Sequence, residues 1–321
     1  MSSFFPEFRL KSLEIIKRYI GYTFSDISVN CVSDADNAKN NSIIFFNGAN
    51  IEINLAIKNS LVILREDSII KNLDESNFLL YSSNPRLDFA IILNHIAKYS
   101  PKKEYIEKHL NIIIGQNAKI ANTVYIEPNV FIDNDVVIGD GTYIESGARI
   151  FSRVSIGENC RIGSNSTIGL SGFGVEIDNE GKSYRIPHFG GVSIGNNVVI
   201  SSLCNIHAGT VNPTVIEDYV QLDALVHIGH NCIIKKSSMI TACAEISGSV
   251  VLEEKSYVGP NSSIINKITI GENTLVGIGA VVTKSFSKDS RIAGNPADLT
   301  SNLKNKNTII KELIAQYGKK N

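Results

Sequence analysis

The chain has 321 residues, 43 % hydrophobic and 20 % charged, with 31 basic against 32 acidic residues and a net charge of −1. That balance, with no long basic run, excludes nucleic acid as the main partner, and the longest apolar runs, IIFF at 43–46 and AIIL at 90–93, are too short for a membrane span. Five cysteines, an odd number without a CxxC pair, exclude a disulfide framework, and the opening MSSFFPEFRLKSLEII lacks a secretory pattern, so a cytoplasmic location is expected.

Residues 1–104 read as a small α/β domain. Leu10, Leu13, Ile16 and Ile20 recur at spacings of three and four, which predicts an amphipathic helix over Phe8–Tyr22. Alternating, β-branched segments at 42–46, 51–55 and 61–64 predict short strands. Pro85 opens a second helix through Arg86–Tyr99, and Pro101 closes it.

From residue 105 to 299 a different rule takes over. Isoleucine returns every six residues from Ile114 to Ile168, ten times without a miss. A 3.6-residue helix would scatter those side chains around its axis, whereas a parallel β-helix aligns them on its interior. The register resumes at Ile194, Ile200 and Ile206, slips by four residues, and runs from Ile216 to Val282, enough for roughly eight coils of three faces. Two residues before each aliphatic stands a small or β-branched one. Cys160, Cys204 and Cys232 occupy that slot, which marks them as buried core thiols. Glycine often follows the aliphatic, as at Gly115, Gly139 and Gly259, where the reading is a turn without Cβ strain.

The repeat yields in two places. Residues 169–193 hold six glycines and no register and read as a long projecting loop; 209–214 is the four-residue slip. The chain then leaves the coils and ends in a short helix over 300–321, with Ile309, Ile310, Leu313 and Ile314 at helical spacing, read as a cap or an oligomer contact.

Histidine is scarce, six in all, yet His207, His227 and His230 stand within 24 residues. In QLDALVHIGHN (221–231) the register turns Leu222 and Ile228 inward and sets His230 on an outward turn. Imidazole, with a pKa near ~6.5, is the side chain suited to accept a proton at neutral pH.

The repeat of aliphatic, glycine or small residue, then small residue resembles the hexapeptide repeat of left-handed β-helix acyltransferases, which implies a mainly β protein with a small N-terminal α/β domain and a C-terminal helix. SGFGVEIDNEGKSYRIPHFGGVSIGNNVVISS, NIHAGTVNPTVIEDYVQLDALVHIGHN and ACAEISGSV resemble blocks of the UDP-3-O-acylglucosamine N-acyltransferases of lipid A synthesis, and SNPRLDFAIILNHIAKYSP resembles their interdomain helix. The resemblance implies that His230 is the general base and Asp223 its partner. It implies that Gly248 offers an oxyanion amide, that Phe173, His188, His207, His227 and Asn231 line the substrate site, and that Phe46 and Asn47 contact a nucleotide sugar bound by the first domain. It also implies a homotrimer with sites between neighbouring coils.

Three positions depart from that family: His207-Ala208 replaces an Asp-Arg pair, Lys267 replaces a second histidine, and the uracil-pocket tyrosine is missing near FFNGAN (45–50). GIGAVVTKS (277–285) and RIAGNPADL (291–299) instead resemble the closing coil of coenzyme A-dependent sugar acetyltransferases, which implies that Gly248, Gly259, Gly277, Ala280 and Lys284 follow the pantetheine arm. The zinc carbonic anhydrases share the β-helix, but GHNCIIKKSS lacks their following histidine, so no metal is expected.

The leading expectation is an enzyme that moves an acyl group from acyl-CoA, a co-substrate and not a resident cofactor, to the amine of a dTDP- or UDP-linked amino-deoxyhexose for surface polysaccharide or lipopolysaccharide. The alternatives are the lipid A acyltransferase using acyl carrier protein, and a β-helix scaffold without catalysis.

Overall fold

A computed structural model describes residues 8–9, 28–33, 38–46, 52–54, 56–71, 74–98 and 111–317. From Glu107 onward one unit is built by the ladder. Each inward residue pairs in parallel with its equivalent one coil later, Ile126 with Ile144 and Ile144 with Ile162. Three sheets of eight, ten and nine strands result, the faces of a left-handed parallel β-helix. They are called first, second and third after the strands Lys119–Ile120, Tyr125–Ile126 and Phe131–Ile132. The interruptions do not break this stacking: Ile162 pairs with Ile200 across the long loop, and Ile200 with Leu222 across the slip. Ile132, Ile144, Ile150, Ile162 and Ile168 are fully buried, each stabilising the stack by about 1.5–3 kcal/mol.

The corners correct one expectation about glycine. The glycines just after the aliphatic residues do not turn the chain. They lie against the next coil, where a Cβ on Gly139 would come within 2.8 Å of the Gly157 backbone. The left-handed residue is two places further on, as at Asn117 (φ 58°), Asn159 (54°) and Asn231 (60°). Asparagine tolerates that conformation better than most side chains, which accounts for its frequency there.

The buried cysteines also do more than fill space. Cys204 Sγ donates to Asp223 O and Cys232 Sγ to Ser247 O, both at 3.1 Å, as Thr142 Oγ1 donates to Gly157 O at 2.9 Å. These are staples from one coil to the turn of the next. Burial pushes the Cys204 thiol up to about 11 and that of Cys232 to about 12, so neither is a nucleophile at neutral pH.

The other unit, through Ile106, holds a parallel sheet in the order Cys31–Val32, Ser42–Phe45, Leu61–Arg65, Phe78–Ser82. Helix α1, Pro85–Lys98, closes one core with Ile43, Leu61, Ile63 and Ile92; Asn84 Oδ1 caps it by accepting Leu87 N–H at 3.2 Å. The helix expected over Phe8–Tyr22 is corrected at its start, because Phe8–Arg9 is a strand paired antiparallel with Ser28–Val29; the rest of that segment lies outside the described residues. Helix α2, Thr300–Tyr317, ends the second unit. Among the described residues no helix is long and apolar enough to cross a membrane.

Candidate active site

His230 stands where the third face turns into the first, two residues past the buried Ile228. Its Nδ1 lies 2.9 Å from Oδ1 of Asn231. That oxygen also accepts Thr210 N–H at 3.2 Å and Thr210 Oγ1–H at 2.9 Å, while Asn231 Nδ2 donates to Asn212 O at 3.4 Å. A backbone N–H on one side and a carbonyl on the other leave only one orientation for the amide. Nδ1 therefore carries the hydrogen and Nε2 keeps its lone pair, the tautomer a base needs.

Two glycines make room for the ring. A Cβ on Gly248, one coil on, would lie 2.7 Å from His230 Nε2, and one on Gly172 would lie 2.8 Å from His230 Cβ. The Gly248 N–H has no acceptor among the described residues. Some equivalent amides are capped, Glu158 N by Asn196 Oδ1 at 2.8 Å and Lys236 N by Glu217 Oε2 at 3.0 Å, whereas those along this corner, of His230, Gly248 and Asn266, are open among the described residues. An uncapped amide beside a histidine lone pair is an arrangement that can hold a developing oxyanion next to a base.

The long loop supplies His188, whose ring meets that of His230 edge-on, centroids 5.0 Å apart. Burial first, then the charge of His230, holds its proton affinity below the usual histidine range. His207 and His227 form a separate edge-to-face pair on the third face, 4.7 Å apart, with Asn205 Nδ2 3.3 Å from His207 Nε2. Burial, helped by the neighbouring histidines, lowers His207 to about 4, and burial also lowers His227. The histidines thus gather in two pairs.

Asp223 does not reach His230 within the chain. It stands one corner earlier, between the second and third faces, exposed, and its Oδ1 accepts Ala224 N–H of its own turn at 2.8 Å. The pairings sort the expected residues into two columns. Asp223, Thr241, Gly259 and Gly277 stack along the first corner; His230, Gly248, Asn266 and Lys284 stack along the second. At ~4.8 Å per coil, Lys284 stands roughly 14 Å along the corner from His230.

Two expectations fail on burial. Ala280 is fully buried and faces the coil interior, where no cofactor reaches it. Phe46 is 8 % exposed and packs with Ile44, Ile57, Val62 and Leu64 as core. Asn47 lies outside the described residues. Phe173 is 74 % exposed beneath the Arg185 guanidinium, 5.2 Å from its ring centre. Sequence reasoning missed Gly172 as a neighbour of His230 and Thr210 as a partner of Asn231, and gave Asn231 to the substrate when its oxygen meets the histidine. The slip at 209–214 marked the place, because it is what brings Thr210 to Asn231.

Residues 111–152 and 135–170 match the family described as bacterial transferase hexapeptide (six repeats). A UDP-3-O-acylglucosamine N-acyltransferase of Campylobacter lari is 35 % identical over 289 residues, 87 % of this chain and 90 % of that one. That of Bordetella avium is 35 % identical over 129 residues, so the match spans 39 % of this chain and only 36 % of that relative. Among solved structures, LpxA from Acinetobacter baumannii aligns with a TM-score of 0.55 at 27 % identity, over 62 % of this chain and 76 % of its own.

Proposed function

We propose, because this chain belongs to the family of UDP-3-O-acylglucosamine N-acyltransferases, that it transfers an acyl group from a thioester to the amine of UDP-3-O-acylglucosamine, with His230 as general base. The relation along 87 % of the chain supports this acceptor over the amino-deoxyhexose expected from the closing coil. The observation that carries the mechanism is the Nδ1–H bond from His230 to Asn231, which leaves Nε2 bare beside the uncapped Gly248 amide.

The amine attacks the thioester carbonyl, a C–N bond forms, and the proton leaves nitrogen for His230 Nε2. The oxyanion is held by Gly248 N–H. Collapse breaks the C–S bond, and the imidazolium returns its proton to the departing sulfur. The arm of the donor runs along the corner from Gly248 to Lys284, whose ammonium meets a phosphate as a point charge. Acyl carrier protein is the donor of this reading; the RIAGNPADL exit favours coenzyme A as the second.

The active assembly is a homotrimer. The Asp223 and His230 columns flank one face of the prism, so a cyclic arrangement sets one copy's Asp223 corner against the next copy's His230 corner. Leu203 and Leu225, on the Asp223 corner, support this: both are left-handed (φ 62° and 63°) and about half exposed (52 % and 53 %), a costly arrangement for leucine unless a second copy covers it.

The test is thiol release from acyl carrier protein or coenzyme A thioesters offered with UDP-3-O-acylglucosamine or dTDP-amino sugars. Turnover is expected with the first acceptor and its loss in His230→Ala. Full activity of His230→Ala, or turnover with the dTDP sugar alone, refutes the reading.

A further inference from the structure

The loop histidine, His188, packs against His230. His188 Nδ1 lies 3.1 Å from Ser171 Oγ, and its Nε2 is buried without a hydrogen-bond partner. A buried ring nitrogen without a partner is costly, so what packs against it matters. What it touches is the base. A Cβ on Gly172 would stand 2.9 Å from His188 Nε2 and 2.9 Å from His230 Cδ2, so that one glycine separates the two rings.

The loop is built to hold this contact. Its hairpin, Val175–Ile177 with Ser183–Arg185, returns Arg185 Nη2 to Gly172 O at 3.2 Å and Ile186 N to Gly174 O at 2.8 Å. Phe189 N then donates to Thr210 O at 2.9 Å, and Thr210 holds Asn231. One chain of contacts therefore runs from Ser171 through His188 to His230, and returns through Asn231 and Thr210 to the loop.

We propose that His188 is a positioning residue for His230: carried by the loop, it fixes the plane of the base and shuts water from one side of it. This rests on the reading of His230 as base. The groups facing His188 are Ser171 and Arg185 of the loop and His230 of the corner, with His207 on the adjoining face. Burial keeps His188 neutral near pH 7, so the proton taken from the amine meets no second charge.

The full chain is compared with His188→Ala, His188→Gln and Gly172→Ala. With UDP-3-O-acylglucosamine and acyl thioester, His188→Ala loses about tenfold in kcat with acceptor KM within about twofold, and the acid limb of its pH profile moves. His188→Gln, a neutral wedge of similar size, stays within about threefold of the parent in kcat. Gly172→Ala parts the rings and matches His188→Ala, and the double variant is no worse than either. Imidazole 15N spectra give a readout that needs no substrate: the Nδ1–H tautomer of His230 is kept in His188→Gln and mixed in His188→Ala. An unchanged tautomer and kcat in His188→Ala, or additive losses in the double variant, overturn the proposal. His230→Ala separates the two failures: if it is inactive while His188→Ala equals the parent, only this inference falls; if it is active, the base reading falls first.

Discussion

Asn231 Oδ1 accepts the Nδ1–H of His230 at 2.9 Å, and Asn231 is itself left-handed at φ 60°. A corner residue that the repeat needs for geometry thus also sets the tautomer of His230, the proposed base. Asn231→Ala is expected to lower kcat by about 10- to 100-fold with little change in KM. It also destabilises the corner by about 1 kcal/mol, since alanine tolerates that backbone poorly. Asn231→Asp puts a carboxylate on Nδ1, favours the imidazolium, and moves the acid limb of kcat/KM to higher pH. Steady-state kinetics across pH, with thermal melts, check all three.

Gly248→Ala tests the space above the base. The added methyl would stand 2.7 Å from His230 Nε2, so the ring must swing away from the uncapped amide. A loss of about 100-fold in kcat is expected, with little change in melting temperature because Gly248 is not core.

Asp223 and His230 on different corners predict complementation. Asp223→Ala and His230→Ala chains, each inactive, recover about a quarter of parental activity when co-assembled one to one, because a site between neighbours then receives both residues one time in four. No recovery places the working carboxylate elsewhere.

The staple of Cys232 to Ser247 O predicts that Cys232→Ser keeps the melting temperature while Cys232→Ala loses about 1–2 kcal/mol in denaturant titration. Equal losses would leave packing alone as the role of this position.

His207 gives a pH dependence of stability. Its folded value, about 4, lies below the 6.5 of a free histidine, so the unfolded chain binds the proton more readily. Its contribution is complete above about pH 6.5 and is lost as pH falls toward 4. His207→Gln should flatten that part of the stability curve, read by urea titration from pH 7 to 4.

The six-residue ladder determined the architecture without help, because burial along a solenoid is periodic and Ile114 to Ile168 states the period ten times. The ladder also told inward from outward: Cys160, Cys204 and Cys232 are buried as their register required, and His230 is not. What it could not give was distance between coils. Asp223 and His230 are seven residues apart in sequence yet stand on different corners, while His188 and His230, 42 apart, touch. Ala280 was misread against the ladder: two places before Val282, it fills the same inward slot as Cys160, Cys204 and Cys232 and is buried like them. A repeat fixes what each coil buries; only the stacked coils, with a loop laid over them, decided that His230 would lie between Gly172, Gly248, His188 and Asn231.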